Sequence, residues 1–312
     1  MSPRPALPRL AVIVPVFNEE ASIPVFLQAI LPILEAEALP SELFFVNDGS
    51  VDGTLRVLHE ARLRHPQIRI LNLARNFGKE AALTAGFDLA EADVYATLDV
   101  DLQDPPELLK SFLARWREGY DTVYGVRISR DEDGFLKQKS AAWFYRLFNR
   151  ISPLKIPENA GDFRLIDRRV VLELRKLRER SRFIKALFMW PGFSACAVPF
   201  ERRARVKGNS AWTFWKLWNF ALDGMLSFST VPLRLWTYLG LFISLVSFAF
   251  VAFIVFSTLI FGRSVPGLAT MASMIGFLGG IQILSIGLLG EYIGRIFLEV
   301  KQRPLYVVES LE

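Results

Sequence analysis

Two apolar runs near the end of the chain constrain its fold more than any other feature. Leu235–Gly262 and Ser264–Gly290 contain no charged residue, and only Arg263 separates them. A bilayer-spanning helix needs about 20 apolar residues, so each run is long enough. One such run could be the core helix of a soluble domain. Two in succession instead predict a tight transmembrane hairpin. The totals of the 312-residue chain follow from this, with 52% hydrophobic residues and a mean hydropathy of +0.28. Basic residues flank the hairpin at Arg234 on one side and at Arg295, Lys301 and Arg303 on the other. The positive-inside rule therefore predicts that both outer ends face the cytoplasm. The opening MSPRPALPRLAVIV shows no signal-peptide pattern. Cys196 is the only cysteine, which excludes an intrachain disulfide and suits a reducing compartment. The net charge of +5 fits an anionic membrane face and anionic substrates. No basic run or binding motif points to nucleic acid.

The first 126 residues read differently. Leu10–Val16, Leu43–Asp48, Ile68–Leu73, Val94–Asp99 and Thr122–Val126 are continuous apolar runs of strand length. Between them Ile23–Ala36, Thr54–Arg64, Lys79–Ala90 and Pro106–Glu118 have helical periodicity. This alternation predicts an α/β domain with a mostly parallel sheet covered on both faces. Such sheets bind ligands beyond the C-terminal ends of their strands. Four polar clusters fall at those ends: Phe17–Glu20, Asn47–Ser50, Ala74–Gly78 and Asp99–Asp101. A single acidic cluster there is commonly a helix cap, and Asp52 and Asp104 are read as caps. Four clusters at one edge indicate a site. Asp99 and Asp101 lie two residues apart as the chain leaves a strand, and Gln103 follows two residues later. Paired hard oxygens suit Mg²⁺ or Mn²⁺, and Mg²⁺ usually also engages substrate phosphates. The same spacing in Asp131-Glu132-Asp133, with no strand before it, reads as a solvated loop.

Beyond Val126 the pattern is less regular. Phe135–Ile151 reads as a helix with an aromatic face and Gly161–Ile166 as a strand or turn. Asp167 caps a basic helix at Arg168–Glu179, and Ala195–Phe200 is another strand. Ala211–Ser229 carries Trp212, Phe214, Trp215, Trp218 and Phe220 beside Lys216, which suits a helix lying in the membrane interface. Pro304–Val308 is expected to form a short strand. The boundaries expected are a catalytic domain at 1–210, an interfacial helix at 211–231, the hairpin at 232–295 and a tail at 296–312.

Several segments, IVPVFNEE, VNDGSVDGT, ARNFGKEAALTAGFDLA and LDVDLQDPPELL, resemble the family 2 glycosyltransferases of GT-A fold. GDFRLIDRRVV, RFIKALFMWPGF, FALDGMLSFSTVPLRL and the two-span hairpin narrow the resemblance to polyprenyl-phosphate glycosyltransferases. These include the dolichol-phosphate mannose synthase-like enzymes and the bactoprenol glucosyltransferases. The resemblance implies that Pro15, Asn18, Glu19 and Asp48 hold the nucleotide's base and ribose. It places Arg75 and Gly78 beside the nucleotide, with Lys79 as a phosphate contact or simply a first-turn residue. It makes Asp99, Asp101 and Gln103 the metal and diphosphate site, and Asp162 the candidate catalytic carboxylate. Arg127 and Arg205 match phosphate-binding arginines, a role guanidinium suits; Arg130 and Lys137 are weaker candidates. One position departs from the family. Ala211 stands where a lysine usually follows the Gly-x-Ser of Gly208–Ser210, which puts one donor-phosphate contact in doubt.

The expected reaction is an inverting, metal-dependent transfer of a hexose from a nucleotide sugar to polyprenyl phosphate. UDP-glucose is the favoured donor; GDP-mannose and a UDP-aminoarabinose are alternatives. The acceptor phosphate is already an anion at neutral pH and needs no general base. A catalytically degenerate lipid-phosphate-binding relative is the rival reading. A processive synthase is disfavoured, since SRFIKALFMW lacks the Gln-x-x-Arg-Trp motif. His59 and His65 lie on a surface-type helix and are not expected to act. The resemblance implies a multi-pass protein of the cell inner membrane, with the catalytic domain and both termini cytoplasmic. The small residues of Gly276–Gly280 would permit a homo-oligomer.

Overall fold

The structure is a computed structural model. It describes residues 4–128, 160–180, 182, 184–201, 231–261 and 267–312, with isolated positions between 146 and 157. The aromatic stretch Ala211–Ser229, the Asp131–Asp133 loop, Arg130, Lys137, Arg205 and Ala211 lie outside the described residues, as does most of Phe135–Ile151. The chain divides into two compact units. The first runs to Ala221 and takes up Arg303–Glu312; the second is essentially Leu222–Gln302.

The first unit is built on one sheet. Its strands are β1 (Leu10–Val16), β2 (Ser41–Asn47), β3 (Ile68–Leu73), β4 (Val94–Thr97), β5 (Thr122–Arg127), β6 (Ala160–Asp167), β7 (Ala195–Phe200) and β8 (Val308–Leu311). Their spatial order is β7-β5-β6-β4-β1-β2-β3-β8. β6 runs antiparallel to β4 and β5, and β8 antiparallel to β3; the other pairings are parallel. The helices are α1 (Ile23–Glu37), α2 (Thr54–Arg64), α3 (Lys79–Leu89), α4 (Leu108–Arg117), α5 (Arg168–Lys176) and the single turn α6 (Ile184–Leu187).

Both sheet faces are covered, as the unbroken apolar strands require. Leu10, Val12, Val14 and Val16 of β1 join one buried cluster with Phe26 and Ile30 of α1, Leu58 of α2 and Phe112 of α4. Ile13, on the opposite face, packs against α3, where a Cβ at Gly86 would come within 2.5 Å of its Cγ2. Asp167 caps α5 by accepting from the Arg169 amide at 2.9 Å. Asp52 accepts from Thr54 N at the start of α2.

Asp104 is not the cap it was read as. Glu107 occupies the N-cap of α4. The Asp104 carboxylate is buried and reaches across to β6 and β5, 3.4 Å from Phe163 N and 3.7 Å from the Arg127 guanidinium. Two prolines follow Asp104, and Pro106 lacks the N–H that a cap there would bind. The C-terminal strand also lies later than expected, at Val308–Leu311. It is selected by the unpaired edge of β3, where Leu311 faces Leu71 and Ser310 faces Asn72. Glu309 accepts from Asn72 Nδ2 at 2.6 Å, and Glu312 pairs with Arg62 at 2.8 Å and with His59 at 3.2 Å.

The second unit contains two helices, α7 (Val231–Phe261) and α8 (Leu268–Val300). The apolar spans are Leu235–Ile260, with mean hydropathy 2.7, and Met274–Val300, with 1.6. α8 continues past the uncharged run through Glu291, Arg295 and Glu299. Large apolar side chains point outward along both helices, among them Phe248, Leu259 and Ile283. A surface of this kind is stable against lipid and not against water.

Candidate active site

The register of the strands shapes the site. β1 and β2 stay paired to Val16 and Asn47, so their trailing loops emerge together. β4 is short. Its last residue, Thr97, pairs with Ile13, three positions before the end of β1. The chain therefore peels off early and Asp99 lies beyond the strand rather than ending it. A notch opens at the sheet edge between β1 and β6. On the β6 side Thr97 pairs with Arg164. Continued by two residues, that antiparallel register sets Asp99 opposite Asp162. Thr97 reinforces it, its Oγ1 donating to the Asp162 carbonyl at 2.7 Å.

The loops after β1, β2 and β3 are locked to one another largely by hydrogen bonds from backbone amides. Asn18 sits at φ 55°, a left-handed conformation asparagine tolerates. Its amide donates to Ser50 Oγ at 2.9 Å, and its Oδ1 accepts from Val51 N at 2.9 Å. The Glu19 amide donates to Thr54 Oγ1, and its carboxylate accepts from the Ser22 hydroxyl at 2.6 Å. Asp48 accepts from Phe77 N at 2.7 Å and from Gly78 N at 2.8 Å, one amide on each oxygen. Burial pushes its carboxyl above the usual range, and these two amides only partly offset that. Gly49, at φ 65°, lets the two loops touch: a Cβ there would lie 2.4 Å from the Arg75 carbonyl carbon. Gly78 at φ 97° turns the chain into α3. The Arg75 guanidinium lies over the Phe77 ring, 4.0 Å from its centroid. Pro15, half-buried, is the penultimate residue of β1.

Across the notch the contacts are ionic. Lys79, the first residue of α3, places its ammonium 2.7 Å from Asp99 Oδ2 and 2.7 Å from Asp162 Oδ2. Lys185 of α6 approaches the other oxygen of Asp162 at 2.9 Å. Burial works to raise the Asp162 carboxyl, but the Lys185 and Lys79 ammoniums outweigh it and hold the group well below the usual carboxylate range. Asp99 moves the other way. Its burial, with repulsion from Asp162, outweighs the pull of Lys79. Burial would lower the Lys79 ammonium, yet Asp162 and Asp99 raise it above the usual lysine range. Each side chain of this cluster keeps part of its surface open: 43% for Lys79, 33% for Asp99, 36% for Asp162 and 23% for Lys185. Solvent and ligands can therefore reach the charges. Behind them Glu80 is pushed up to about 7 by burial and by Asp162.

Asp101 follows in the turn after β4, its Oδ1 accepting from Gln103 N at 3.1 Å, with Leu102 between them at φ 55°. Asp99 and Asp101 fit a hard divalent cation by the chemistry of their oxygens. The structure thus joins Lys79, Asp99 and Asp162 in one cluster and sets Asn18, Glu19, Asp48 and Gly78 in a second. Arg127 closes β5, turned toward Asp104. Lys185 and Glu80 escaped the sequence reading. The signal for Lys185 was a lone lysine between buried apolar neighbours in Ile184–Leu187.

Residues 11–175 match the family described as Glycosyl transferase family 2. The chain belongs to the family 2 glycosyltransferases. Residues 231–296 match a second description, the GtrB C-terminal hairpin. This glycosyltransferase is 46% identical over 302 residues to the SfII prophage-derived bactoprenol glucosyl transferase of Shigella flexneri, covering 97% of this chain and 98% of that one. It is 47% identical to an uncharacterized glycosyltransferase of Synechocystis, covering 97% and 95%. A Mycobacterium tuberculosis glucosyl-3-phosphoglycerate synthase, solved with Mn²⁺ and UDP-glucose, has a TM-score of 0.48 at 16% identity, over 70% of this chain and 78% of that one. The family assignment accounts for the layout: a GT-A glycosyltransferase domain with its polar loops at one sheet edge, and a membrane hairpin appended.

Proposed function

We propose that this glycosyltransferase moves glucose from UDP-glucose to undecaprenyl phosphate, with inversion, at the cytoplasmic face of the inner membrane. The observation that carries the reading is 46% identity over nearly the full length to proteins named bactoprenol glucosyl transferases, hairpin included. The uridine and ribose would lie over the loops fixed by Asp48 and Asn18, near Pro15, Glu19, Arg75 and Gly78. Asp99 and Asp101, with Gln103 beside them, would hold Mg²⁺ or Mn²⁺. A divalent cation bound there neutralises charge on the departing diphosphate.

The chemistry follows from the acceptor. A phosphate oxygen attacks the anomeric carbon as the bond from that carbon to the diphosphate oxygen breaks, and the electron pair leaves with the nucleoside diphosphate. No proton need be removed from the nucleophile. Asp162 agrees with this, because a carboxylate held so far below its usual range is a poor base at neutral pH. It acts as the anion that keeps Lys79 and Lys185 pointed into the cleft. The hairpin would hold the enzyme in the membrane that carries the lipid acceptor, which removes much of the cost of their encounter. Arg127, and Arg205 beyond the described residues, are proposed as further phosphate contacts.

The test is glycolipid synthesis by the purified full chain in detergent. Polyprenyl phosphate and Mg²⁺ or Mn²⁺ would be supplied with UDP-glucose, GDP-mannose or a UDP-aminoarabinose in turn. Product from UDP-glucose alone, abolished by EDTA, is the expected result. Product from another donor would replace the sugar, and nucleotide binding without any product would favour a degenerate relative.

A further inference from the structure

We infer that Lys185 binds the phosphate of the lipid acceptor, with Asp162 holding its ammonium ready. This inference rests on the function proposed above. The order of strands carries it. The amide-braced loops for the nucleotide follow β3, β2 and β1, and the carboxylates suited to the diphosphate follow β4. The next strand in that direction is β6, about 4.8 Å further on. An acceptor attacking in line from the side away from the diphosphate reaches the sugar over β6 and β5. Three described cations stand there, Arg127, Arg164 and Lys185, and Arg164 is fully buried. Arg127 faces Asp104 at 3.7 Å, and its Nε is buried. Lys185 is about as exposed as Arg127, but carries three rotatable donors on a flexible stem.

The seating of α6 supports the same role. Ile184, Ala186 and Leu187 are buried. Lys185 alone of that turn stays partly open, its Nζ 2.9 Å from Asp162 Oδ1 and 3.4 Å from the Ala160 carbonyl. The two lysines thus divide one carboxylate. Lys79 donates to Asp162 Oδ2 and also to Asp99, on the diphosphate side, and Lys185 donates to Asp162 Oδ1. A phosphate monoester offers Lys185 more negative charge than a single carboxylate does, and the ammonium can engage both at once.

The experiment uses the full chain in detergent with short-chain polyprenyl phosphate. It compares wild type with Lys185→Met, Lys185→Gln and Lys185→Arg. A charge-assisted hydrogen bond to phosphate predicts that Met and Gln raise the KM for polyprenyl phosphate about ten- to a hundredfold, with UDP affinity held within about twofold and Arg restoring part of the loss. Inorganic phosphate serves as a competitor; weaker inhibition of Lys185→Gln than of wild type would place the contact on the phosphate itself. An unchanged lipid KM in either neutral variant overturns the inference while leaving the glycosyltransferase reading intact. So does a matching loss of UDP affinity, which would assign Lys185 to the donor. A wild type that neither binds nor glycosylates polyprenyl phosphate overturns both.

Discussion

The two halves of the active-site edge are built from different interactions. Over β1–β3, backbone amides donate to Asp48, Asn18, Ser50 and Thr54. Over β4 and β6, ammonium groups face carboxylates: Lys79 with Asp99 and Asp162, and Lys185 with Asp162. A carboxylate held by two backbone amides cannot change partners unless the loop moves. An ammonium on a four-carbon stem can turn to a phosphate while the backbone stays still. Under the function proposed above, the first half would recognise a rigid nucleotide and the second would exchange charge with phosphates as they arrive and leave.

Several substitutions would break or sharpen this contrast. Asp101→Ala should have the largest effect, lowering kcat/KM by about a hundredfold or more if it removes a metal ligand, with the melting temperature nearly unchanged. Metal-dependent UDP binding, measured by calorimetry, should weaken in parallel. Asp162→Asn should come next. A lost general base would cost about 10²–10⁴ and remove a limb of the pH–rate profile. As a charge holder Asp162 should cost less, about tenfold, and the profile should keep its shape. An altered limb near neutrality in the variant would return Asp162 to the role of base.

In the amide-braced half, Gly49→Ala should act on binding and stability. It must tolerate φ 65° and displace the Arg75 backbone. A cost of about 1–3 kcal/mol in denaturant unfolding is expected, with weaker UDP binding and unchanged lipid KM. Glu80→Gln tests the layer behind the charges through pH. The folded state raises the Glu80 carboxyl to about 7, through burial and Asp162, despite Lys79 and Lys185 nearby. A raised carboxyl favours the folded state at acid pH and loses that advantage as pH climbs through about 7. Glu80→Gln should therefore melt higher than wild type at pH 8 and match it at pH 5. Equal shifts at both values would remove the electrostatic account. Smallest of all, Glu309→Ala should cost about 0.5–1.5 kcal/mol, since the loss is one hydrogen bond to Asn72 at an edge strand.

Much of this was legible in the sequence for identifiable reasons. The first three strands and α2 fall where apolar run length and helical period place them, because each element buries its own periodic face. Asp167 was readable as a cap, since an N-cap is a local arrangement. Asp104 was misread because the same residue type can cap a helix or cross to another strand, and only the partner tells them apart. Lys79 shows the limit at the site. Its place at the start of α3 is local, while its two carboxylate partners lie 20 and 83 residues further along the chain. Lys185 gave almost no signal, since a single lysine in an apolar turn is compatible with any surface.

The sequence by itself determined the α/β alternation, the four polar clusters at strand ends, the paired aspartates and the two apolar helices. These depend on periodicity, composition and spacing within one segment. The tertiary structure decided the order of the strands, the early departure of β4, the return of the C-terminal strand to β3 and the charge cluster around Asp162. The physical reason is range. Burial patterns are written along the chain, whereas an ion pair between Lys185 and Asp162 exists only once β6 and α6 have been brought side by side by packing.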